Sequence, residues 1–79
     1  MSAIQDRLVT LITEFGVPAE DVRADVPFSD LGLDSLALVE FTMMIKKEIG
    51  VTLDDDALQP GTTLAEVVTL IESALAHAR

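Results

Sequence analysis

The chain has 79 residues, enough for one hydrophobic core, and we expect residues 1–79 to form a single domain. It contains no cysteine, which excludes disulfides and thiolate metal sites. Fourteen acids against five bases give a formal net charge of −9, which predicts repulsion from nucleic acid and attraction to basic protein surfaces. No apolar run approaches the ~20 residues that span a bilayer, and no secretory signal pattern opens the chain. We therefore expect a monomeric cytoplasmic protein that binds neither nucleic acid nor membrane.

Apolar residues recur at helical spacing over residues 3–15, which predicts the first helix. Ser2 and Gln5 have the spacing of a capping box at its start, and Gly16 indicates its end. Residues 17–33 then form a long connection. Its apolar residues predict that it packs on the core: Val22, Val26, Phe28 and Leu31.

A second helix is predicted from Ser35 to Ile49, with Gly50 as its end. A short acidic segment, residues 53–58, predicts a single helical turn. The third long helix begins after Thr63, with Glu66 at capping-box spacing. Its predicted core residues are Leu64, Val67, Val68, Ile71, Ala74 and Leu75. Because no segment predicts a strand, we expect an all-α fold: a small four-helix bundle of three long helices and one short, with a long loop between the first and second helices.

The second helix has two opposed apolar faces at ~100° per residue. One face is the predicted core face, with Leu38, Phe41, Ile45 and Ile49 on it and Thr42 beside them. The opposite face carries Leu36, Val39, Glu40, Met43 and Lys47. An apolar stripe edged by charge, where packing on the core does not need it, predicts a docking surface for partner proteins. The alternative is that the helix is buried on all sides.

Ser35 begins this helix directly after a glycine-containing loop. A nucleophilic serine needs a base, and the only histidine is His77 near the end of the chain, so a hydrolase is not favoured. The amino end of a helix favours a phosphate, which makes Ser35 a candidate for post-translational attachment. The alternative is that Asp34 and Ser35 only cap the helix.

The segment LGLDSL at residues 31–36, followed by Val39 and Glu40, resembles the signature of acyl carrier proteins. The order of elements resembles that family over essentially the full chain. The resemblance implies that Ser35 carries 4′-phosphopantetheine, transferred from coenzyme A by a separate magnesium-dependent phosphopantetheinyl transferase. The thiol of that arm would hold acyl intermediates as thioesters. The resemblance thus implies a non-catalytic carrier rather than an enzyme.

The resemblance also implies a docking face for partner enzymes. Asp34, Leu36, Glu40 and Met43 match family positions that contact partners, and the apolar stripe adds Val39. The expected partners are the transferase, a ketosynthase, an acyltransferase and other synthase enzymes with basic docking surfaces.

An acyl-chain cleft is implied on the core face of the second helix and on the segments packed against it. The residues implied to line it are Phe28, Leu38, Phe41, Ile45 and Leu58. The alternative is that these residues form a closed core.

Asp34 before the serine resembles acyl carriers more than peptidyl carriers, which commonly have histidine there. A one-domain chain without linkers resembles the discrete carriers of type II polyketide synthases, which implies antibiotic biosynthesis. Fatty-acid synthesis carriers are the alternative; they are typically richer in acid late in the second helix, where this chain has Lys46, Lys47 and Glu48. The rival from another class is an unmodified helical interaction module. The acidic run at residues 54–56 lacks the spacing of a calcium loop, so no metal site is expected.

Overall fold

The computed structural model describes residues 3–54 and 56–77, and the regular structure in these ranges is entirely helical. The elements in chain order are α1 (Ala3–Thr13), a first 3₁₀ helix (Ala19–Asp21), a second 3₁₀ helix (Phe28–Leu31), α2 (Ser35–Ile49) and α3 (Leu64–His77). The predicted all-α class and small helical bundle are confirmed. Both 3₁₀ helices lie in the long connection between α1 and α2. None of the described helices is long and apolar enough to cross a membrane.

Helix α1 ends at Thr13, two residues before the predicted end. The chain continues in tighter turns, in which Glu14 N–H donates to the Leu11 carbonyl at 3.2 Å and Gly16 N–H donates to the Thr13 carbonyl at 3.0 Å. These bonds span three residues instead of the four of an α-helix, so the regular helix stops while its direction persists to the glycine. The predicted cap at Ser2 lies outside the described residues.

Helix α3 begins with the predicted capping box. The Thr63 amide donates to Glu66 Oε1 at 3.0 Å, and the Glu66 amide donates to Thr63 Oγ1 at 3.3 Å. The prediction for the end of its core face was wrong at Leu75, which is 43% exposed. No described residue after Ile71 is buried, and Ala74 is only half-buried, so the last turn of α3 extends beyond the core.

The short fourth helix predicted over residues 53–58 is replaced, in the described part of that segment, by one hydrogen-bonded turn. The Ala57 amide donates to the Asp54 carbonyl at 3.0 Å. The described residues there form no helix, and Asp55 lies outside them. The two short helical segments seen in residues 3–54 and 56–77 are instead the 3₁₀ helices of the long connection.

Pro60 explains why this turn does not grow into a helix. In an α-helix the Asp56 carbonyl would accept from the amide of residue 60, and proline has no amide hydrogen. The Gln59 side-chain amide takes that place, donating to the Asp56 carbonyl at 2.7 Å. Leu58 follows the turn and is nevertheless buried in the core, with 5% exposure.

The core is built around the ring of Phe41. The three phenylalanines are the only aromatic residues of the chain, and Phe41 contacts both of the others edge to face. Its ring centroid lies 5.7 Å from that of Phe28 and 6.4 Å from that of Phe15, with the planes nearly perpendicular. These contacts join α2 to the long connection and to the turns that follow α1. Aliphatic side chains of α1 and α3 complete the core, among them Leu8, Ile12, Leu64, Val67 and Ile71.

Replacing Phe41 with alanine should lower the free energy of unfolding by about 3–5 kcal/mol, because a fully buried ring with two aromatic partners leaves a cavity. Urea denaturation measures the loss. The matched control is Leu36→Ala on the same helix, where the side chain is 70% exposed and a change within about 0.5 kcal/mol is expected. Equal losses in the two variants would mean that the faces of α2 are wrongly assigned.

Candidate attachment and docking site

The segment that leads into Ser35 is anchored by Phe28. The Phe28 ring is fully buried, its amide donates to the Thr62 carbonyl at 3.0 Å, and its carbonyl accepts from the Leu33 amide at 3.2 Å. One residue therefore links the core, the segment before α3 and the segment before α2. This anchor fixes where the chain enters α2, and with it the position of Ser35.

Gly32 turns the chain between the second 3₁₀ helix and α2. Its φ of +79° lies in the left-handed region, and its amide donates to the Ser29 carbonyl at 3.1 Å. A Cβ built at this position would meet no atom within 4 Å. The requirement for glycine is therefore conformational, since a side chain would fit the space but disfavour the backbone angle.

Asp34 is the cap of α2. Its backbone is extended, with φ −90° and ψ −178°, and its carboxylate Oδ1 accepts from the Ala37 amide at 2.8 Å. Its carbonyl accepts the first helical hydrogen bond, from the Leu38 amide at 3.0 Å. The sequence left open whether Asp34 and Ser35 serve only to cap the helix. The structure assigns the capping contact to Asp34.

Ser35 is the first residue of α2 and is exposed. Among the residues that the structure describes, none is hydrogen-bonded to its hydroxyl. The histidine on which a hydrolase would depend, His77, has its Nδ1 2.7 Å from the Ser73 carbonyl oxygen, one turn back in α3. A free hydroxyl at the amino end of a fifteen-residue helix suits a phosphodiester, which gains from the helix dipole and from the first-turn amides that Asp34 does not bond.

The two faces of α2 are separated as predicted. Leu36 is 70% exposed, Met43 65% and Val39 49%. Asp34 and Glu40 are exposed as well. On the opposite side Leu38, Phe41 and Ile45 are buried, so burial of α2 on all sides is wrong. Docking by the exposed face stays a prediction.

The five residues predicted to line an acyl cleft are all buried together in the core. They are Phe28, Leu38, Phe41, Ile45 and Leu58. Their rings and aliphatic chains pack against one another, and Phe28 and Phe41 are in edge-to-face contact. An acyl chain would have to part these contacts to enter, and the cleft role stays a prediction.

Sequence reasoning missed a surface groove along the carboxyl half of α2. Its lining residues are Glu40, Met43, Met44, Lys46 and Lys47. Met44 is the half-buried member of this set, and the other four are exposed. The available signal was the spacing of Met44 from Glu40 and of Lys47 from Met43, four residues in each case, which places each pair on one helix face.

In the described ranges, no group of three or more histidine, aspartate or glutamate side chains is arranged to hold a metal ion. The acidic run at residues 54–56 is described only at Asp54 and Asp56, both of which are exposed.

Comparison with known proteins identifies the class of protein to which this arrangement belongs. A family model described as the phosphopantetheine attachment site matches residues 6–71, and the chain belongs to that family. The acyl carrier protein of Sinorhizobium fredii (strain NBRC 101917 / NGR234) is 40% identical over 78 residues, covering 96% of this chain and all of the relative. The acyl carrier protein AcpP of Rhizobium meliloti (strain 1021) is similar to the same extent over the same lengths. No solved structure matches the chain significantly.

The cofactor of this family is covalently attached 4′-phosphopantetheine. The exposed Ser35 hydroxyl at the start of α2 fits a group bound through its phosphate, because nothing described in the structure competes for that oxygen. The phosphopantetheine cofactor expected from the sequence is thereby confirmed for the family.

Replacing Asp34 with alanine should lower the free energy of unfolding by about 1 kcal/mol, because the Ala37 amide loses its acceptor. Asp34→Asn keeps a side-chain oxygen in that place and should lose much less. Thermal unfolding of the two variants, side by side with the parent, measures the difference. Equal stability of Asp34→Ala and the parent would contradict the capping role.

Proposed function

We propose that Ser35 is the attachment residue and that the chain is a non-catalytic, single-domain acyl carrier of the cytoplasm. The observation that carries the proposal is the division of roles at the start of α2, where Asp34 caps the helix and leaves the Ser35 hydroxyl free. Within the matched residues 6–71 the other serine is Ser29. Ser29 is exposed but lies inside a four-residue 3₁₀ helix, which offers no comparable amino end.

The chemistry follows from the free hydroxyl. Ser35 Oγ forms a bond to the phosphorus next to the pantetheine of coenzyme A, and the phosphoanhydride bond to the adenosine bisphosphate breaks. No described side chain contacts the hydroxyl, so the base that removes its proton belongs to the transferase. The amino end of α2 then stabilises the phosphodiester. Once bound, the arm supplies the thiol that this cysteine-free chain lacks and carries acyl groups as thioesters.

The exposed face of α2 provides the docking surface in this proposal. Leu36, Val39 and Met43 present apolar area that the fold leaves uncovered. Asp34 and Glu40 attract basic partner surfaces and speed the encounter. The partners that we propose are a phosphopantetheinyl transferase, a ketosynthase and an acyltransferase.

For the pathway, we propose type II polyketide synthesis, with fatty-acid synthesis as the alternative. The names of the relatives specify an acyl carrier and no pathway. The support for polyketide synthesis is the basic pair Lys46 and Lys47 at the exposed end of α2, where the resemblance led us to expect acids in a fatty-acid carrier. Offering the malonyl-loaded carrier to a type II polyketide ketosynthase and to a fatty-acid ketosynthase tests this, and preferential turnover by the latter would contradict it.

Incubation of the apo protein with coenzyme A, Mg²⁺ and a phosphopantetheinyl transferase should add one phosphopantetheine, detected by intact mass spectrometry. Ser35→Ala should gain none, and the matched control Ser29→Ala should gain one. An unmodified interaction module would stay unchanged in all three, which would refute the proposal. A hydrolase would cleave activated esters without any partner and lose that activity in His77→Ala.

Glu40→Lys should raise the KM of a basic partner for the loaded carrier about fivefold at low salt, since an exposed attractive charge becomes repulsive. Steady-state kinetics with the ketosynthase measures it, and thermal unfolding should show the fold intact. Glu72→Lys makes the same charge change on the exposed side of α3 and should change KM by less than about twofold. If both variants behave alike, the docking face is not on α2.

A further inference from the structure

The groove along α2 has opposite charges at its two ends. Glu40 lies at the end nearer Ser35, Met43 and Met44 form the apolar middle, and Lys46 and Lys47 lie at the far end. This layout departs from the strongly acidic character of the rest of the chain, which carries a net charge of −9. Two of the five basic residues are gathered here.

Both lysines are free to interact with a partner. Among the described residues, neither has a carboxylate within ion-pair distance. The acid next in sequence, Glu48, is engaged with Arg7 of α1, whose guanidinium lies 3.8 Å from Glu48 Oε1 and donates to the Glu48 carbonyl at 2.8 Å. The positive charge at the end of the groove is therefore not neutralised within the described fold.

The acidic and basic ends of the groove are far enough apart to interact with separate groups of a partner. At 1.5 Å per residue, Glu40 and Lys47 are about 10 Å apart along the helix axis, and Asp34 and Lys47 about 20 Å. The Debye length at physiological ionic strength is about 8 Å, so dissolved salt screens the attraction between the acids near Ser35 and the lysines. The acids therefore offset the positive charge of the lysines only weakly. A partner lying along α2 meets a negative region, an apolar region and a positive region in succession.

Resting on the proposed function, we propose that this groove receives a synthase partner with a mixed-charge docking segment. Its basic side chain faces Glu40, its apolar side chain lies on Met43 and Met44, and its acidic side chain faces Lys46 and Lys47. The methionines suit such a contact because their unbranched side chains adapt to the apolar group placed on them. The opposed charges fix the direction in which the partner lies along the helix, which a uniformly acidic face would not do.

Two competing roles for the lysines lead to different outcomes in Lys47→Glu. If the lysines only offset the helix dipole in the last turn of α2, the variant loses stability without affecting partner binding. If the partner surface is basic throughout, an added acid strengthens binding. Only an acidic partner side chain opposite the lysines makes Lys47→Glu bind more weakly than the parent. Whether partner affinity falls, rises or stays the same therefore distinguishes the three roles.

The experiment uses the full chain in its phosphopantetheine-loaded, malonylated form and whichever ketosynthase turns it over in the pathway comparison. Lys47→Glu should raise KM about five- to tenfold at low salt with kcat unchanged. The effect should largely vanish in about 0.5 M NaCl. The matched control is Arg23→Glu, which makes the same charge change at an exposed residue of the long connection and should alter KM less than about twofold.

An unchanged or lowered KM for Lys47→Glu would overturn the inference. Should this variant lose its fold, Lys47→Gln removes the charge alone, and its KM should rise about two- to threefold. Mass spectrometry of Ser35 modification precedes the kinetics, so a chain that fails to gain phosphopantetheine refutes the proposed function and not the charge layout. Turnover by neither ketosynthase would refute the partner on which the inference rests.

Discussion

The contact between the rings of Phe28 and Phe41 is the interaction on which the rest of this structure depends. Phe41 belongs to the buried face of α2, and Phe28 belongs to the long connection that precedes it. With its ring in the core and its backbone bonded on both sides, Phe28 gives a long loop a fixed position. A connection of this length would otherwise be free to move, and the start of α2 with it. The site is thus positioned by the core rather than by contacts of its own.

The start of α2 shows how adjacent residues share structural and functional work. A helix needs an acceptor for its first amides, and Asp34 provides it. Ser35 therefore does not have to cap the helix, which is the usual role of a serine near a helix start. The two faces of α2 show the same separation on a larger scale, because the core contacts are made by Leu38, Phe41 and Ile45 on the face opposite to the exposed stripe. Leu36 and Met43 are not needed for packing.

Most of the fold could be predicted from sequence because α-helical periodicity is a local property. The bounds of α2, its two faces and the capping box of α3 follow from residues within a few positions of one another. The short helix expected at residues 53–58 was wrong, because apolar periodicity takes no account of Pro60, which has no amide hydrogen to donate to the Asp56 carbonyl. The helical periodicity of α3 places Leu75 on the core face, but the residue is exposed. Its exposure depends on how far the neighbouring elements extend along α3. Periodicity carries no such information.

The candidate site divides in the same way. Ser35, Asp34 and the exposed stripe were accessible from the sequence, because each depends on one helix and its cap. The groove was not, since its lining includes the half-buried Met44, and the degree of burial depends on tertiary packing. The pairing of Arg7 with Glu48 joins residues of α1 and α2 that are remote in sequence. Glu48, the acid next to the two lysines in sequence, is thereby engaged with α1.

The backbone bonds from Phe28 to Thr62 and from Ser29 to Pro60 have an evolutionary consequence. They use main-chain atoms alone, so the side chain of Ser29 can change without breaking them, whereas Thr62 Oγ1 also accepts from the Gln59 amide at 3.0 Å. The two backbone bonds that hold the segment before Ser35 can therefore persist when side chains along that segment are substituted. A Ser29→Pro change is the exception, because it would delete a donor while leaving the composition of the core untouched. Proteins related to this chain should therefore vary at position 29 but should not have proline there.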